Sequence, residues 1–488
     1  MREDWEEILY KDAVYKISTT KQKLKQKEYS QFGEYPIVDQ GQEKIGGYSD
    51  DKDRILDCKL PVLVFGDHSK CVKLINFKFI PGADGTKVLE PKKGIEPKYI
   101  STLTHVLVHK IKDKGYARHY QYIEKENLPL APLPEQRAIV AKIEELFSDL
   151  DKGVADLKKA QDQLKVYRQA VLKKAFEGEL TKEWRDQQIN LPTADELLEQ
   201  IKDERQKHYE RQIENWKQAV NEWEENGKKG KKPTVPKKSK EKVPLTESEK
   251  EDLFALKEGS SWRKIGETCS VKGGKRLPKG QSFSKEPSQY SYIMAGNLKN
   301  GTVTSEANYI NKETYDALYH YRVNQGDAYI TIVGACIGDA GVVPESHHLS
   351  ILTENAAKII CTPSLSSKYL SLWLNSTVAQ IRIKRSIFSM TLGKLALSRI
   401  EEIEFPLCSV EEQHQIVQEI ESRLSVCDKV EESINKSLEK AEALRQSILK
   451  KAFEGDLLSE QEIAACKSAK DYKPAAVLLE KIKAEKQK

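Results

Sequence analysis

The side chains in this sequence with the most chemistry to offer are cationic and lie among aromatic and small polar neighbours. Lys21, Lys23 and Lys25 precede Tyr29, and His68 and Lys70 belong to VFGDHSK. Arg118, His119 and Tyr120 open RHYQY, while Lys275, Arg276 and Lys279 sit in GGKRLPKG. Arg382, Lys384, Arg385 and Ser389 belong to RIKRSIFSM. Lysine and arginine neutralise phosphates, arginine forks onto guanine, and serine, glutamine or tyrosine can orient around base edges. Gly273 and Gly274 would let the backbone come close to a phosphate. Any one of these stretches also reads as a solvated, lysine-rich loop. Their occurrence in both halves of the chain favours a nucleic-acid interface.

The search for catalysis returns weaker patterns. Asp84, Glu90 and Lys92 have the bare spacing of a nuclease carboxylate-lysine triad, with no supporting Pro-Asp or upstream glutamate. GACIGDAG (Gly334 to Gly341) is glycine-rich but has neither G-x-G-x-x-G spacing nor the Lys-Ser/Thr ending of a phosphate loop, so a strand-to-turn role is expected. His105 and His109 lie in LTHVLVHK, where alternation predicts a strand, and no H-E-x-x-H glutamate accompanies them. The eight cysteines form no C-x-x-C pair or zinc-spaced cluster, so no metal site is expected. With no S-adenosylmethionine loop and no N/D-P-P-Y/F tetrapeptide, methyl transfer by this chain alone is not expected.

The chain has 488 residues, enough for two to four domains. Its net charge of +5, from 80 basic and 75 acidic side chains, is too mild to identify a nucleic-acid binder by its total. The longest apolar run, Ala328 to Gly338, falls short of the roughly 18–20 residues that span a bilayer, and MREDWEEILY has no signal-peptide core. A reducing cytoplasm without membrane attachment is expected.

What positions the candidate residues is an internal repeat. AVLKKAFEGEL ends at Leu180 and SILKKAFEGDL at Leu457, an offset of 277 that holds back to Glu135-Gln136 against Glu412-Gln413. Some 20 of 50 positions are identical across residues 131–180 and 408–457, which implies duplication. Ile139, Ile143, Leu146, Leu150, Val154, Leu157 and Leu164 in the first copy fall three, four or seven residues apart, as do most of Ile416, Ile420, Leu424, Ile434, Leu444 and Ile448 in the second. That spacing predicts one apolar seam on each of two long helices. Leu133-Pro134 suits a helix start, and Gly178 and Gly455 suit a stop. Two copies in one chain favour an internal antiparallel pair over dimerisation with another chain.

The resulting fold class is α/β plus long helices: two small α/β blocks and two long antiparallel helical spacers in a pseudo-twofold repeat. The boundaries read as a first block over residues 1–130, a first spacer over 131–202, a charged and partly disordered linker over 203–260, a second block over 261–407, and a second spacer with tail over 408–488. A coiled-coil scaffold that binds protein rather than DNA is the alternative from a different class.

This plan resembles the specificity subunit of type I restriction-modification systems, over nearly the whole chain. LPLAPLPEQRAIVAKIEELF (Leu128 to Phe147), LKKAFEGEL, EFPLCSVEEQHQIVQEIE (Glu404 to Glu421) and LKKAFEGDL carry the resemblance, with YPIVDQGQEKIGGY, MAGNLKNGTV, GDAYITIVGACIGDAGVV and LTENAAKI in the blocks. The resemblance implies a non-catalytic subunit. Each recognition domain would read one half of a bipartite, asymmetric site in double-stranded DNA. The helices would set the gap and dock two modification (methyltransferase) subunits, with restriction subunits in the same complex. It also implies that S-adenosylmethionine, ATP and Mg are bound by those partners and that this chain needs no cofactor.

Overall fold

In the computed structural model, residues 2–83, 85–111, 118–236, 238, 243–251, 253–304, 308–388 and 393–485 are described. The chain divides into two compact units, residues 1–159 with 434–488, and residues 160–433.

The first unit is built on a four-stranded antiparallel sheet in the order Val14–Ile17, Thr86–Pro91, Val62–Gly66, Val72–Ile75. A three-stranded sheet joins Gly47–Ser49, Tyr35–Val38 and Ile80–Pro81, the last two running parallel. Glu6–Leu9 pairs with Asn127–Leu130, so the block begins and ends on one ribbon. The second unit repeats this plan: Ser270–Gly273, Ala356–Ile360, Ala328–Thr331 and Ala340–Val342 form its four-stranded sheet. Asn308–Tyr309, Ser291–Ile293 and Ile351–Leu352 form the three-stranded one, again with one parallel pair, and Ser261–Lys264 pairs with Glu404–Leu407. The two blocks, whose sequences diverge, share one topology.

LTHVLVHK lies in a helix, Pro97–Lys110, and not in the strand that its alternation suggests. Pro97 occupies the first turn, where its missing N–H costs nothing. Tyr99, Ile100, Leu103, Thr104 and Leu107 are buried at helical spacing, so packing overrides the β-branched run.

The two long helices are Leu133–Phe176, of 44 residues, and Val410–Glu454, of 45. In the second unit Arg168 meets Asp428 and Glu431, both at 2.8 Å. In the first unit Arg445 pairs with Asp151 and lies 4.4 Å from the Phe147 ring. As one residue number rises the other falls, so the helices pack antiparallel. Exposed ion pairs of this kind contribute about 0–1 kcal/mol each, so they mark register while apolar burial supplies the stability. Ile139, Ile143, Ile416, Ile420, Ile434 and Ile448 are buried, and Leu146, Leu150, Val154, Leu157, Leu164 and Leu424 are half-buried. Leu444 departs from the predicted seam and is 50% exposed. The seam runs Ile434, Leu438, Ala441, Arg445, Ile448, with Arg445 in the place expected for Leu444; its stem covers Phe147 while its charge reaches Asp151.

The repeated motifs close each unit. Phe176 packs on Tyr369 and Trp373 with ring centroids 5.3 and 5.1 Å apart, and its repeat mate Phe453 packs on Tyr99 at 5.6 Å. Tyr99 and Tyr369 each donate to a proline carbonyl of the closing strand, Pro129 at 3.0 Å and Pro406 at 2.7 Å. Each AFEG helix end thus completes the core of the unit to which the other half contributes its recognition block. Gly178 and Gly455 stop the helices at φ +80° and +93°, the left-handed region open to glycine without penalty.

One helix, Ala194–Glu225, runs across 202–203 and forms the start of the charged stretch between the halves. Ala194, Leu197, Leu198 and Ile201 anchor it in the core of the second unit. The chain beyond it folds back, with Trp223 Nε1 donating to Gly230 O at 3.2 Å and Trp216 Nε1 to Pro233 O at 3.1 Å.

Candidate nucleic-acid interface

In both units the loops that carry most of the candidate contacts leave one end of the four-stranded sheet. In the first unit that end collects the chain after Ile17, the hairpin between Gly66 and Val72, and the segment leading into Thr86. Lys21 lies on the chain after Ile17 and His68 and Lys70 on the hairpin, while Lys23 and Lys25 flank Leu24, which bridges to Gly82. Lys21 and Lys25 are exposed; Lys23, His68 and Lys70 are half-buried. Lys70 takes φ +58° at the hairpin turn, with its N–H on Gly66 O at 2.9 Å.

Neighbouring residues brace this end. Ser69 Oγ donates to Gln40 O at 2.5 Å. Buried Lys73 donates to Asp39 O at 2.9 Å and Glu43 O at 2.5 Å, holding the loop DQGQEK in place. Buried Asp67 accepts from Tyr120 N at 2.9 Å and pairs with Lys87 at 3.3 Å.

Two predicted contacts belong to this bracing and not to the surface. His119 is fully buried, with Nδ1 3.0 Å from Asp67 O, and Tyr120 is 5% exposed against Phe65 and Tyr10. Burial pushes the Tyr120 hydroxyl up to about 12. The pair clamps the GDHSK hairpin and leaves Arg118, which is exposed, beside it.

The second unit presents the equivalent end. Lys275, Arg276 and Lys279 follow Gly273 and are exposed, close to Leu352–Asn355 and the turn after Thr331. Lys275 N donates to Leu352 O at 2.9 Å, and Arg276 is tied to Glu354 at 2.7 Å. The close approach expected at Gly274 is to the protein's own backbone: a Cβ there would stand 2.1 Å from Thr353 O. GACIGD is a strand-to-turn segment, with Gly334 at φ +106° and Gly338 at φ +98°. Gly338 O accepts from Gln380 on the helix Thr377–Phe388, at 2.9 Å. On that helix Lys384 and Arg385 are exposed, whereas Arg382 is held by Glu404 at 2.9 Å. Ser389 lies outside the described residues, as does Asp84 of the nuclease spacing; Lys92 of that spacing is buried, with its ammonium 5.0 Å above the Tyr15 ring.

Sequence reasoning missed LYHYR (Leu318 to Arg322), an aromatic-basic run of the kind it selected elsewhere. Tyr319 is 51% exposed, His320 is exposed, and the Arg322 guanidinium lies 3.4 Å from the Tyr319 ring centroid. Among the described residues no three His, Cys, Asp or Glu side chains gather as a metal site, and no helix is long and apolar enough to cross a membrane.

A repeated frame of polar contacts fixes these blocks to the helices. Gln136 donates to Ala131 O at 2.8 Å and Gly94 O at 3.1 Å and accepts from Glu96 N at 2.8 Å, at the start of the helix Pro97–Lys110. Gln413 donates to Cys408 O and accepts from Ser366 N, both at 2.9 Å, at the start of the helix Ser367–Leu374. Lys98 pairs with Glu144 at 2.7 Å, and Lys368 with Glu421 at 3.1 Å. Buried Glu135 accepts from Arg2 and Trp5, both at 3.0 Å. Its mate Glu412 accepts from Thr181 at 2.9 Å and Arg185 at 2.7 Å, with Lys257 also on it.

Comparison with known proteins agrees with this architecture. Residues 257–440 match the family described as type I restriction modification DNA specificity domain. The chain is 27% identical over 363 residues to the EcoBI specificity subunit of Escherichia coli, covering 74% of this chain and 64% of that protein, less than two thirds of its length. It is 25% identical over 446 residues to the EcoDI specificity subunit of E. coli, covering 87% and 84%. Among solved structures, a chain from a study of complex assembly and conformational transition of the type I R-M system has the same fold, with a TM-score of 0.64 at 16% identity and coverage of 94% and 99%. The HsdS subunit of Thermoanaerobacter tengcongensis scores 0.50 at 15% identity, with coverage of 94% and 98%. Residues 257–440 thus match a type I restriction modification DNA specificity domain, and the chain is similar along most of its length to type I specificity subunits and shares the fold of solved ones.

Proposed function

We propose that this chain is the non-catalytic DNA-recognition subunit of a type I restriction-modification complex, with each block reading one half of a bipartite site in double-stranded DNA. The observation that carries this reading is a duplicated frame holding unlike tips. The contacts of Gln136 and Gln413, Lys98–Glu144 and Lys368–Glu421, and Arg445–Asp151 and Arg168–Asp428 recur, with their long-helix residues at the repeat offset of 277 and the lysines of the blocks 270 apart. The loops at the sheet ends differ in sequence between the blocks, with Lys21, Lys23, Lys25, His68 and Lys70 in one and Lys275, Arg276 and Lys279 in the other. A near-identical frame suits two identical methyltransferase partners, and unlike tips suit two different half-sites. The paired helices act as the spacer that sets the gap. S-adenosylmethionine, ATP and Mg are assigned to the partner subunits, which supply methyl transfer, translocation and cleavage, and the complex works in the cytoplasm.

The test is to purify the chain with its modification subunits and measure affinity for duplexes selected from a random pool. Salt-dependent binding is expected, because neutralised phosphates release counterions. Exchange of residues 262–407 for another recognition block should change one half of the selected site. A complex that assembles but binds no duplex would instead favour the protein-binding scaffold.

A further inference from the structure

Arg322 differs from the other arginines near the tip of the second block in what surrounds it. Arg276 and Arg382 direct their guanidinium groups at carboxylates of the same unit, Glu354 and Glu404. Around Arg322 stand tyrosines and a carbonyl. Its plane lies on the exposed Tyr319 ring at 3.4 Å, and Nε donates to Tyr319 O at 3.1 Å. The Tyr315 hydroxyl is fixed on Leu349 O at 3.0 Å.

The backbone below is equally constrained. Arg322 bridges to Ile351, and the buried Lys358 ammonium contacts the Arg322 carbonyl. The next residue, Leu352, receives Lys275 N at 2.9 Å, and the Lys275 ammonium stands 5.9 Å from the Tyr321 ring. Arg322, Tyr319, His320 and Lys275 thus form one aromatic-basic surface beside the GKR turn.

A guanidinium offers five N–H donors in a rigid fork. With Nε–H engaged and the plane held by stacking, the terminal donors are oriented before any ligand arrives. The cost of ordering a long arginine side chain is then already met in the free protein.

We propose that Arg322, held by Tyr319, is a specificity-determining residue that reads a guanine of the half-site recognised by the second block. The inference rests on the DNA-recognition reading above. Guanine O6 and N7 in the major groove match the fork, whereas a phosphate would be served equally by a lysine point charge. That difference separates the two.

The full chain is co-expressed with its modification subunits as wild type, Arg322→Lys, Arg322→Ala and Tyr319→Leu, and the methylated motif of each is mapped by long-read sequencing. Binding to the wild-type site and to the same site with that G·C pair replaced is measured alongside. The wild-type complex should discriminate at that pair by about 10- to 100-fold. Arg322→Lys and Arg322→Ala should both bring the ratio near one, leaving the other half-site and the gap unchanged. Tyr319→Leu should lower it part of the way, and with Arg322→Lys it keeps the test available should the alanine variant fail to assemble.

Wild-type discrimination retained in Arg322→Lys, with affinity lower for all sequences or unchanged, overturns the inference: the residue then touches phosphate or only packs the loop. A wild-type complex that binds no duplex overturns the recognition reading and this inference with it.

Discussion

Truncating Gln136 or Gln413 to alanine tests whether the repeated frame holds each block to its helix. Both side chains are fully buried. Gln136→Ala leaves Glu96 N, Gly94 O and Ala131 O without their partner, and Gln413→Ala leaves Ser366 N and Cys408 O. At roughly 1–1.5 kcal/mol per buried hydrogen bond lost, the first change costs about 3–4 kcal/mol and the second about 2–3 kcal/mol. The loss should also be local. Native-state hydrogen exchange of the full chain should show reduced protection of the helix Pro97–Lys110 in Gln136→Ala with Ser367–Leu374 unaffected, and the reverse in Gln413→Ala. A loss below about 0.5 kcal/mol, the size of an ordinary surface change, would refute the reasoning, as would equal loss at both helices in either variant.

Three further outcomes follow from the same geometry. Ile448→Ala should cost about 3 kcal/mol in denaturant unfolding and Leu444→Ala below about 1 kcal/mol, because only the first empties a buried site; equal costs would place Leu444 back on the seam. Gly455→Ala should cost about 1 kcal/mol or more, since φ is +93° and the new Cβ would stand 2.7 Å from the Arg2 side chain; an unchanged midpoint would contradict this. Inserting one matched heptad in each long helix adds about 10.5 Å, so the gap between half-sites should grow by about three base pairs at roughly 3.4 Å each, and an unchanged gap in the methylated motif would remove the spacer role.

The long helices were legible because a duplicated seam repeats every three or four residues and ends on glycines that tolerate positive φ. Their antiparallel pairing followed from the same duplication. The common topology of the two blocks was not legible, since short strands such as Val62–Gly66 and Ala328–Thr331 require only burial and leave their residue identities free to diverge. LTHVLVHK misled because alternation over eight residues ignored Tyr99 and Ile100 upstream, which complete a helical face. Leu444 and Arg445 are adjacent, and apolarity alone selected the wrong one, since an arginine stem can cover an aromatic ring as a leucine does. Among the site residues, no local pattern separates exposed Arg118 from buried His119 and Tyr120, which hydrogen-bond Asp67, over fifty residues away, while Tyr120 packs on Phe65 and Tyr10. LYHYR carried the same signal as RHYQY and became distinct only through the stacking of Arg322 on Tyr319.

The central claim is that this chain selects a bipartite DNA site for its partners. Its most direct test is to express the chain with its modification subunits in a host free of adenine methylation and map N6-methyladenine across the genome by long-read sequencing. Two short, different half-sites separated by a fixed gap are the predicted result. A stable complex that leaves the genome unmethylated, or one that methylates without a bipartite motif, would contradict the account.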